Sequence, residues 1–167
     1  EAMPNDPALF PFYEKAEELG VILSAHTGTC WGHYMGRSKY CRPMDFDDVA
    51  HEFPTLKIIA FHAGWPYTRE MGMVAANHSN MYVGVNLLCP WGITMPYRFA
   101  HIIGELKQYV GPKRIVWGTD YFGKHGELPM RLSVEGLSKF TMPQELQEKY
   151  GLPPITEEDK RRIFGLN

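Results

Sequence analysis

Residues 57–64 read Lys57-Ile58-Ile59-Ala60-Phe61-His62-Ala63-Gly64, a short apolar run that ends in a histidine. Such a run, without alternating polar residues, is typical of a parallel β-strand that is covered on both faces. Helical periodicity precedes it over residues 45–53 and follows it from Pro66 onward. A strand between two helices is the repeating unit of α/β proteins.

The same unit recurs along the chain. The apolar patterns predict strands at 21–26, 57–62, 82–88 and 115–118, and helices at about 7–19, 45–53, 66–78 and 96–110. Beyond a loop at 121–131, we expect helical segments broken at Pro143 and a last helix that opens with a capping box of Thr156 and Asp159. The prediction is a single partial domain over 1–167, with four βα units over about 7–131 and a helical extension over about 132–167.

The composition excludes several classes of protein. The chain has 167 residues, with 17 Lys and Arg against 19 Asp and Glu, and 44% of its residues are hydrophobic. This balance argues against disorder, and the absence of a basic excess argues against a nucleic-acid partner. No apolar run is long enough to span a bilayer, so we expect no membrane partner and a cytoplasmic location.

Three cysteines, Cys30, Cys41 and Cys89, occur without a C-x-x-C pair. An odd number without such a pair argues against a disulfide framework or a zinc ribbon. Cys30 and Cys41 flank one loop and could pair with each other or bind a metal. We favour the simpler interpretation, which is two free thiols in a reducing compartment.

Polar side chains follow three of the four predicted strands. His26 ends the first strand, His62 ends the second, and Asp120 follows the fourth. A single histidine here is more often a hydrogen-bonded core residue, and a single aspartate is often a helix cap. Three such residues at corresponding positions favour a site, because ligands of parallel α/β folds bind at the carboxyl ends of the strands.

Imidazole and carboxylate ligands suit zinc, manganese or iron. A bound divalent ion lowers the pKa of a water toward about 7 and polarises a carbonyl group. We therefore expect one divalent metal, with zinc as the first choice and manganese or iron as alternatives. Asp120 would then serve both as a ligand and as a base, because a carboxylate beside a metal stays ionised.

Three segments of the chain resemble the amidohydrolase-related (amidohydrolase 2) family. They are LSAHTG at 23–28, FPTLKIIAFHAGWP at 53–66 and RIVWGTD at 114–120, and residues 80–83 and 155–167 are also similar. That family includes enzymes like aminocarboxymuconate semialdehyde decarboxylase and many metal-dependent hydrolases. The resemblance implies a TIM-type (β/α)8 barrel, with this chain as its C-terminal half, strands five to eight. Composition alone does not distinguish such a half-barrel from a small open sheet of four strands.

The resemblance also implies roles for the strand-end residues. His26 resembles the strand-five metal ligand, and Asp120 resembles the strand-eight metal ligand and acid or base. His62 resembles a catalytic histidine that works beside the metal-bound water rather than on the metal. The implied reaction uses a metal-activated water at the C-terminal rim to hydrolyse a C–N or C–O bond. The other implied reaction is the non-oxidative decarboxylation of a small carboxylated substrate.

One part of the family pattern is missing. The His-x-His or Glu-x-His pair of the first barrel strand does not occur in this sequence. Together with a start at Glu1 rather than Met, this predicts a fragment of a longer enzyme that is inactive by itself. We expect it to work with the missing N-terminal half-barrel or as a homo-oligomer, such as a dimer.

Large side chains after the strands are candidates for the walls of a substrate pocket: Trp31, Arg37, Trp65, Arg69 and Phe122. Long loops at the carboxyl end of a strand are often functional, and the loop at 27–43 is long. Arg37 either meets a substrate carboxylate or belongs to a solvated basic loop, and the sequence favours neither.

A non-catalytic four-stranded α/β binding module is the alternative function. A half-barrel exposes a sheet edge and a large apolar face, whereas a module would be a stable, soluble, metal-free monomer. The behaviour of the isolated chain therefore separates the two hypotheses.

Overall fold

The computed structural model describes residues 2–30, 36–121 and 127–166. Two of the predicted substrate-contacting residues, Trp31 and Phe122, lie outside this part of the chain. Among the described residues, no helix has both the length and the apolarity that a membrane-spanning helix requires.

Four short strands form one sheet in the order β1-β2-β3-β4. They are β1 (Leu23–Ala25), β2 (Ile58–Ala60), β3 (Met81–Gly84) and β4 (Ile115–Val116). The pairing of β1 with β2 and of β2 with β3 is parallel, with Ala25 opposite Ala60 and Ala60 opposite Val83. The predicted α/β class with a parallel sheet is confirmed.

Helices connect and flank the strands. They are α1 (Phe10–Glu18), α2 (Asp45–Glu52), α3 (Thr68–Asn77), α4 (Trp91–Thr94), α5 (Pro96–Val110), α6 (Glu127–Ser138), α7 (Gln144–Tyr150) and α8 (Glu157–Arg161). Short 3-10 turns occur at Pro7–Leu9, Ser38–Tyr40, Phe61–Gly64 and Pro112–Arg114, and a π-helical turn at Arg162–Leu166 closes the described chain.

The chain divides into two compact units, Glu1–Val83 and Gly84–Asn167. Fully buried side chains of the first unit include Val49, Ile58, Met71 and Met81, and those of the second include Phe99, Ile103, Leu106 and Ile115. Each unit therefore has its own hydrophobic core.

The buried amide of Asn80 organises the first unit around the start of β3. Its Nδ2 donates to the backbone carbonyls of Ala50 at 3.2 Å, Phe53 at 2.9 Å and Leu56 at 3.0 Å. These carbonyls belong to the end of α2 and to the turn that leads into β2. One side chain thereby donates to three neighbouring backbone carbonyls, of which that of Phe53 also accepts from Leu56 N–H at 3.1 Å.

The first strand departs from expectation. The continuous apolar run at 21–26 predicts burial on both faces, but Val21 is 50% and Ile22 is 55% exposed, and only Leu23–Ala25 is a strand. The physical reason is position, because β1 stands at one end of the strand order and has one hydrogen-bonded neighbour. Helix α1, which precedes β1, also exposes a large apolar side chain, since Phe12 is 60% exposed.

The segment after Asp120 differs from the sequence prediction in its helix boundaries. The predicted loop at 121–131 includes the first turns of α6, which begins at Glu127. The break at Pro143 is confirmed, since α7 begins at Gln144. The capping box is also confirmed, because Asp159 N–H donates to Thr156 Oγ1 at 3.1 Å and Thr156 N–H donates to Asp159 Oδ2 at 2.7 Å.

Candidate active site

The two strand-end histidines of the first unit lie side by side. Ala25 and Ala60 are register partners in β1 and β2, so the residues that follow them leave the sheet at the same edge. His62 Nε2 is 3.1 Å from His26 Nδ1, and the ring centroids are 4.6 Å apart. At this distance one nitrogen donates and the other accepts, so a proton is shared between two imidazoles.

The backbone turn after β2 places His62 there. His62 has φ 62° and Ala63 has φ 53°, both in the left-handed region that glycine tolerates best. Such conformations at other residues cost of order 1–3 kcal/mol each and concentrate at functional sites. His62 is only 8% exposed, so this turn holds a titratable side chain in a largely buried position beside a second imidazole.

Two hydrogen bonds join the end of β1 to the turn after β2. The hydroxyl of Thr27, which is fully buried, donates to the carbonyl of Phe61 at 2.5 Å. Two residues further on, Thr29 N–H donates to the carbonyl of Trp65 at 2.9 Å. The backbone on both sides of His26 is therefore fixed against the segment that carries His62. The sequence argument did not select Thr27, although its position directly after His26 pointed to such a role.

Gly28 makes this close approach possible. Its φ is 85°, and a Cβ atom at this position would lie 2.2 Å from the Trp65 carbonyl oxygen. No side chain fits there, so the packing requires glycine at position 28. Its N–H also donates to the carbonyl of Cys41 at 2.7 Å, which ties the far end of the loop to the same point.

Asp120 belongs to the second unit and follows β4 after three intervening residues. It is exposed and has φ 62°, so it is another left-handed residue that is not glycine. The neighbouring Tyr121 is affected by it, because burial and, to a smaller extent, the Asp120 charge raise the pKa of the Tyr121 hydroxyl.

The residues predicted to contact substrate have different surroundings. Trp65 is half-buried, and its N–H donates to the His62 carbonyl at 2.9 Å, so it belongs to the turn that positions His62. Arg37, before the Ser38–Tyr40 turn, and Arg69, on α3, are exposed. Among the described residues, Trp65 is therefore the predicted pocket residue that the structure brings next to the histidine pair.

The two loop cysteines also lie beside His26. Cys30 and Cys41 are free thiols with their Sγ atoms 3.3 Å apart, and both are half-buried. Burial, together with the hydrogen bond from Cys30, raises the pKa of the Cys41 thiol to about 12. The prediction of free thiols agrees with the structure, but the sequence argument did not foresee that both sulfurs approach the imidazole.

A separate groove of about 440 Å³ lies along α1, lined by Pro11, Glu14, Lys15, Glu17, Glu18 and Thr55. Its polar groups already have partners, since Glu17 accepts from Thr55 N–H and Oγ1 at 2.8 Å and Lys15 pairs with Glu18 at 2.6 Å. Hydrogen bonds from Thr55 lower the pKa of Glu17. None of the predicted site residues lines this groove.

Parallel strands alternating with helices, and histidines at the carboxyl ends of two neighbouring strands, are an arrangement typical of part of a TIM barrel. Comparison with known proteins gives the family. The chain belongs to the amidohydrolase family, whose model matches residues 1–167.

The chain is also similar to individual proteins. Protein fluG of Emericella nidulans is 29% identical over 80 residues, which is 47% of this chain and 9% of fluG. An uncharacterised TIM-barrel protein of Bordetella bronchiseptica superposes with a TM-score of 0.64 at 22% identity over 98% of this chain and 50% of its own. A dihydroxybenzoic acid decarboxylase from Polaromonas, solved with manganese and 2-nitroresorcinol, gives a TM-score of 0.56 at 14% identity over 98% and 53%.

The chain thus spans 9% of the curated relative and about half of each of these two solved structures. The Bordetella protein is a TIM-barrel protein of which this chain covers 50%, so the fold of this chain is that of a partial TIM barrel.

Proposed function

We propose that this chain supplies part of the catalytic centre of a metal-dependent enzyme of the amidohydrolase family. The observation that supports this most directly is the pair of imidazoles, with His62 Nε2 3.1 Å from His26 Nδ1 at the carboxyl ends of neighbouring parallel strands. Two mutually hydrogen-bonded histidines on a strained, glycine-rich rim are a costly arrangement for a purely structural role.

The residue types proposed as ligands suit a divalent metal. His26 is half-buried and offers ring nitrogens, and Asp120 offers an exposed carboxylate, which are the ligand types that zinc, manganese and iron accept. We propose His26 and Asp120 as ligands, with zinc as the first candidate and the remaining ligands outside this chain. When bound, such an ion lowers the pKa of a water toward about 7 and polarises a substrate carbonyl.

His62 and Asp120 are the groups proposed to handle protons. His62 is buried and shares a hydrogen bond with His26, so it can pass a proton through Nε2 while its ring stays in place. Asp120 is exposed, and we propose that its carboxylate accepts a proton or returns one to the product.

Two reactions remain within this proposal. One is the hydrolysis of a C–N or C–O bond, in keeping with the family name, and the other is the decarboxylation of a small carboxylated substrate. We include decarboxylation because the chain is similar to a solved decarboxylase. In both, Trp31, Arg37, Trp65, Arg69 and Phe122 are the proposed substrate contacts. We further propose a cytoplasmic enzyme that works as a homo-oligomer or with an N-terminal half-barrel.

Metal content tests the proposal. Cys30 and Cys41 lie beside His26 and can also bind a metal, so both are changed to Ser for this test. Elemental analysis of that full-length protein should find one divalent metal per chain, and a further His26→Ala or Asp120→Ala change should remove it together with activity. Lys113→Ala changes an exposed residue beside β4 and serves as a matched control that should keep the metal. Stoichiometric metal in both site variants would refute the proposed ligands. Assays for carbon dioxide and for hydrolysis products then separate the two reactions.

A further inference from the structure

The loop between β1 and α2 holds a second group of metal-binding atoms. Cys30 Sγ, Cys41 Sγ and a ring nitrogen of His26 all lie within 4.8 Å of one another. The two sulfurs are 3.3 Å apart, which is well beyond the roughly 2.05 Å of a disulfide bond. The three donors are separate ligands that face one small volume.

The spacing of these donors is close to that of a tetrahedral site. Zinc–sulfur bonds of about 2.3 Å place two sulfurs about 3.8 Å apart around a tetrahedral ion. The observed Sγ–Sγ distance of 3.3 Å therefore needs to widen by only a fraction of an ångström. Side-chain rotation suffices for a change of this size, because the backbone of both cysteines already lies in place.

The backbone around the cysteines is anchored independently of their sulfurs. Cys30 N–H donates to Ser38 Oγ at 3.1 Å, and Cys41 N–H donates to the Ser38 carbonyl at 3.1 Å. The Cys41 carbonyl accepts from Gly28 N–H at 2.7 Å, two residues beyond His26. These bonds bring the two ends of the loop together and hold the ligands before any ion binds, which reduces the ordering cost of binding.

Each nitrogen of His26 already has a polar neighbour. Nδ1 faces His62 Nε2 at 3.1 Å, and Nε2 faces the Thr29 carbonyl at 3.3 Å. An ion on one nitrogen therefore leaves the other with a hydrogen-bond partner. That arrangement is usual for metal-bound histidine, because the second hydrogen bond fixes the tautomer and the ring orientation.

We propose that His26, Cys30 and Cys41 form a thiolate-rich site for a soft or borderline cation such as zinc or cadmium, with a position left for a fourth ligand. Two thiolates and an imidazole select such ions over magnesium or manganese. Three protein ligands with an open position are a known zinc arrangement. The site shares His26 with the catalytic metal proposed above, but it is inferred from the two sulfurs and does not depend on that reaction.

Cadmium and cobalt report thiolate coordination directly, because a bound thiolate gives a ligand-to-metal charge-transfer absorption that nitrogen and oxygen ligands do not give. The full-length protein, reduced and stripped of metal, should show this band with one equivalent of either ion. Cys30→Ser and Cys41→Ser should each weaken cadmium binding by more than about 100-fold, beyond the loss expected for an outer hydrogen-bond partner. Cys89→Ala, at the buried cysteine of the second unit, should leave the band unchanged.

A measurement on the unmodified protein covers the case in which a serine variant fails to fold. Zinc should slow the alkylation of Cys30 and Cys41 in the folded protein, as read by mass spectrometry of the digested chain. No charge-transfer band with cadmium, or alkylation rates that zinc leaves unchanged, would overturn the proposal.

Asp120→Asn separates this proposal from the proposed function. The band should persist in that variant while activity is lost. A variant that keeps both the band and full activity contradicts the role proposed for Asp120 and leaves the thiolate site standing.

Discussion

His62 and Ala63 adopt left-handed conformations, yet neither residue is glycine. A sequence that selected only for an easy turn would use glycine at both positions, as it does at Gly64, with φ 63°. An imidazole is therefore retained at a backbone position that disfavours it. The positions of His26 and His62 after neighbouring strands were predictable from the sequence, because strand ends converge at one edge. The backbone strain at His62 was not predictable from the sequence, because it depends on the surrounding tertiary structure.

Asn80 gives a prediction at the residue scale. Replacing it with Ala removes the side-chain donor from the carbonyls of Ala50 and Leu56, whereas the Phe53 carbonyl keeps the Leu56 N–H as a donor. Because each buried group left unsatisfied costs about 1–3 kcal/mol, Asn80→Ala should lower the free energy of unfolding by several kcal/mol.

Urea unfolding of the protein measures this change. Asn77→Ala, at the last residue of α3 and exposed, is the matched control and should change stability by less than about 0.5 kcal/mol. An equal loss in both variants would contradict the assigned role of the Asn80 amide.

At the scale of elements, α8 depends on one carboxylate. Asp159 completes the capping box with Thr156 and accepts from Lys107 Nζ at 2.6 Å, which links the start of α8 to α5. Burial acts to raise the pKa of Asp159, but the hydrogen bonds from Lys107 and Thr156 outweigh it and lower the pKa below its usual range. The carboxylate is therefore favoured in the folded protein.

This lowered pKa predicts a pH dependence of stability. A carboxyl group whose pKa is lower in the folded state stabilises it above the ordinary pKa of about 4, and that contribution is lost as the pH falls through the folded-state pKa. Asp159→Asn should destabilise the protein by about 1–3 kcal/mol at neutral pH, the size of a hydrogen bond to a charged group. As the pH falls from about 5 to about 2, the free energy of unfolding should decrease less in the variant than in the parent.

Chemical denaturation at several pH values measures this difference. Glu158→Gln removes a neighbouring carboxylate whose partner is Arg162 at 2.9 Å on the surface, so it should alter stability by less than about 1 kcal/mol. Parallel pH profiles for the parent and Asp159→Asn would show that Asp159 is not the group responsible.

The sequence predicted the elements better than their exposure. Helix α5 begins and ends where the periodicity placed it, because Pro96 can begin a helix and Gly111 can end one. The predicted burial of the segment at 21–26 was wrong, because the burial of an apolar segment depends on which other elements of the fold cover it. The sequence could not predict that Cys30 and Cys41 approach His26, because this contact depends on the tertiary structure.

At the scale of the whole molecule, exposed apolar side chains stand at the edge of the sheet. Val21 and Ile22 precede β1, which is the first strand in the order of the described sheet, and they are 50% and 55% exposed. Exposed edges with apolar side chains promote association. Residues 1–167 expressed alone should therefore self-associate, and Ile22→Lys should raise the monomer fraction.

Analytical ultracentrifugation measures the monomer fraction. Lys57→Arg, which keeps the charge of a residue just before β2, is the matched control and should leave association unchanged. A cooperatively folded, monomeric parent chain would instead support the non-catalytic module.

The glycine at position 28 has a consequence for how this site can vary. Because the main chain at residue 28 lies directly against the Trp65 carbonyl, the loop after β1 and the turn after β2 act as one rigid spacer. The separation of the two imidazoles is then set by main-chain contact rather than by the size of nearby side chains. Substitutions elsewhere around the rim can change what the site accepts without changing the distance between His26 and His62.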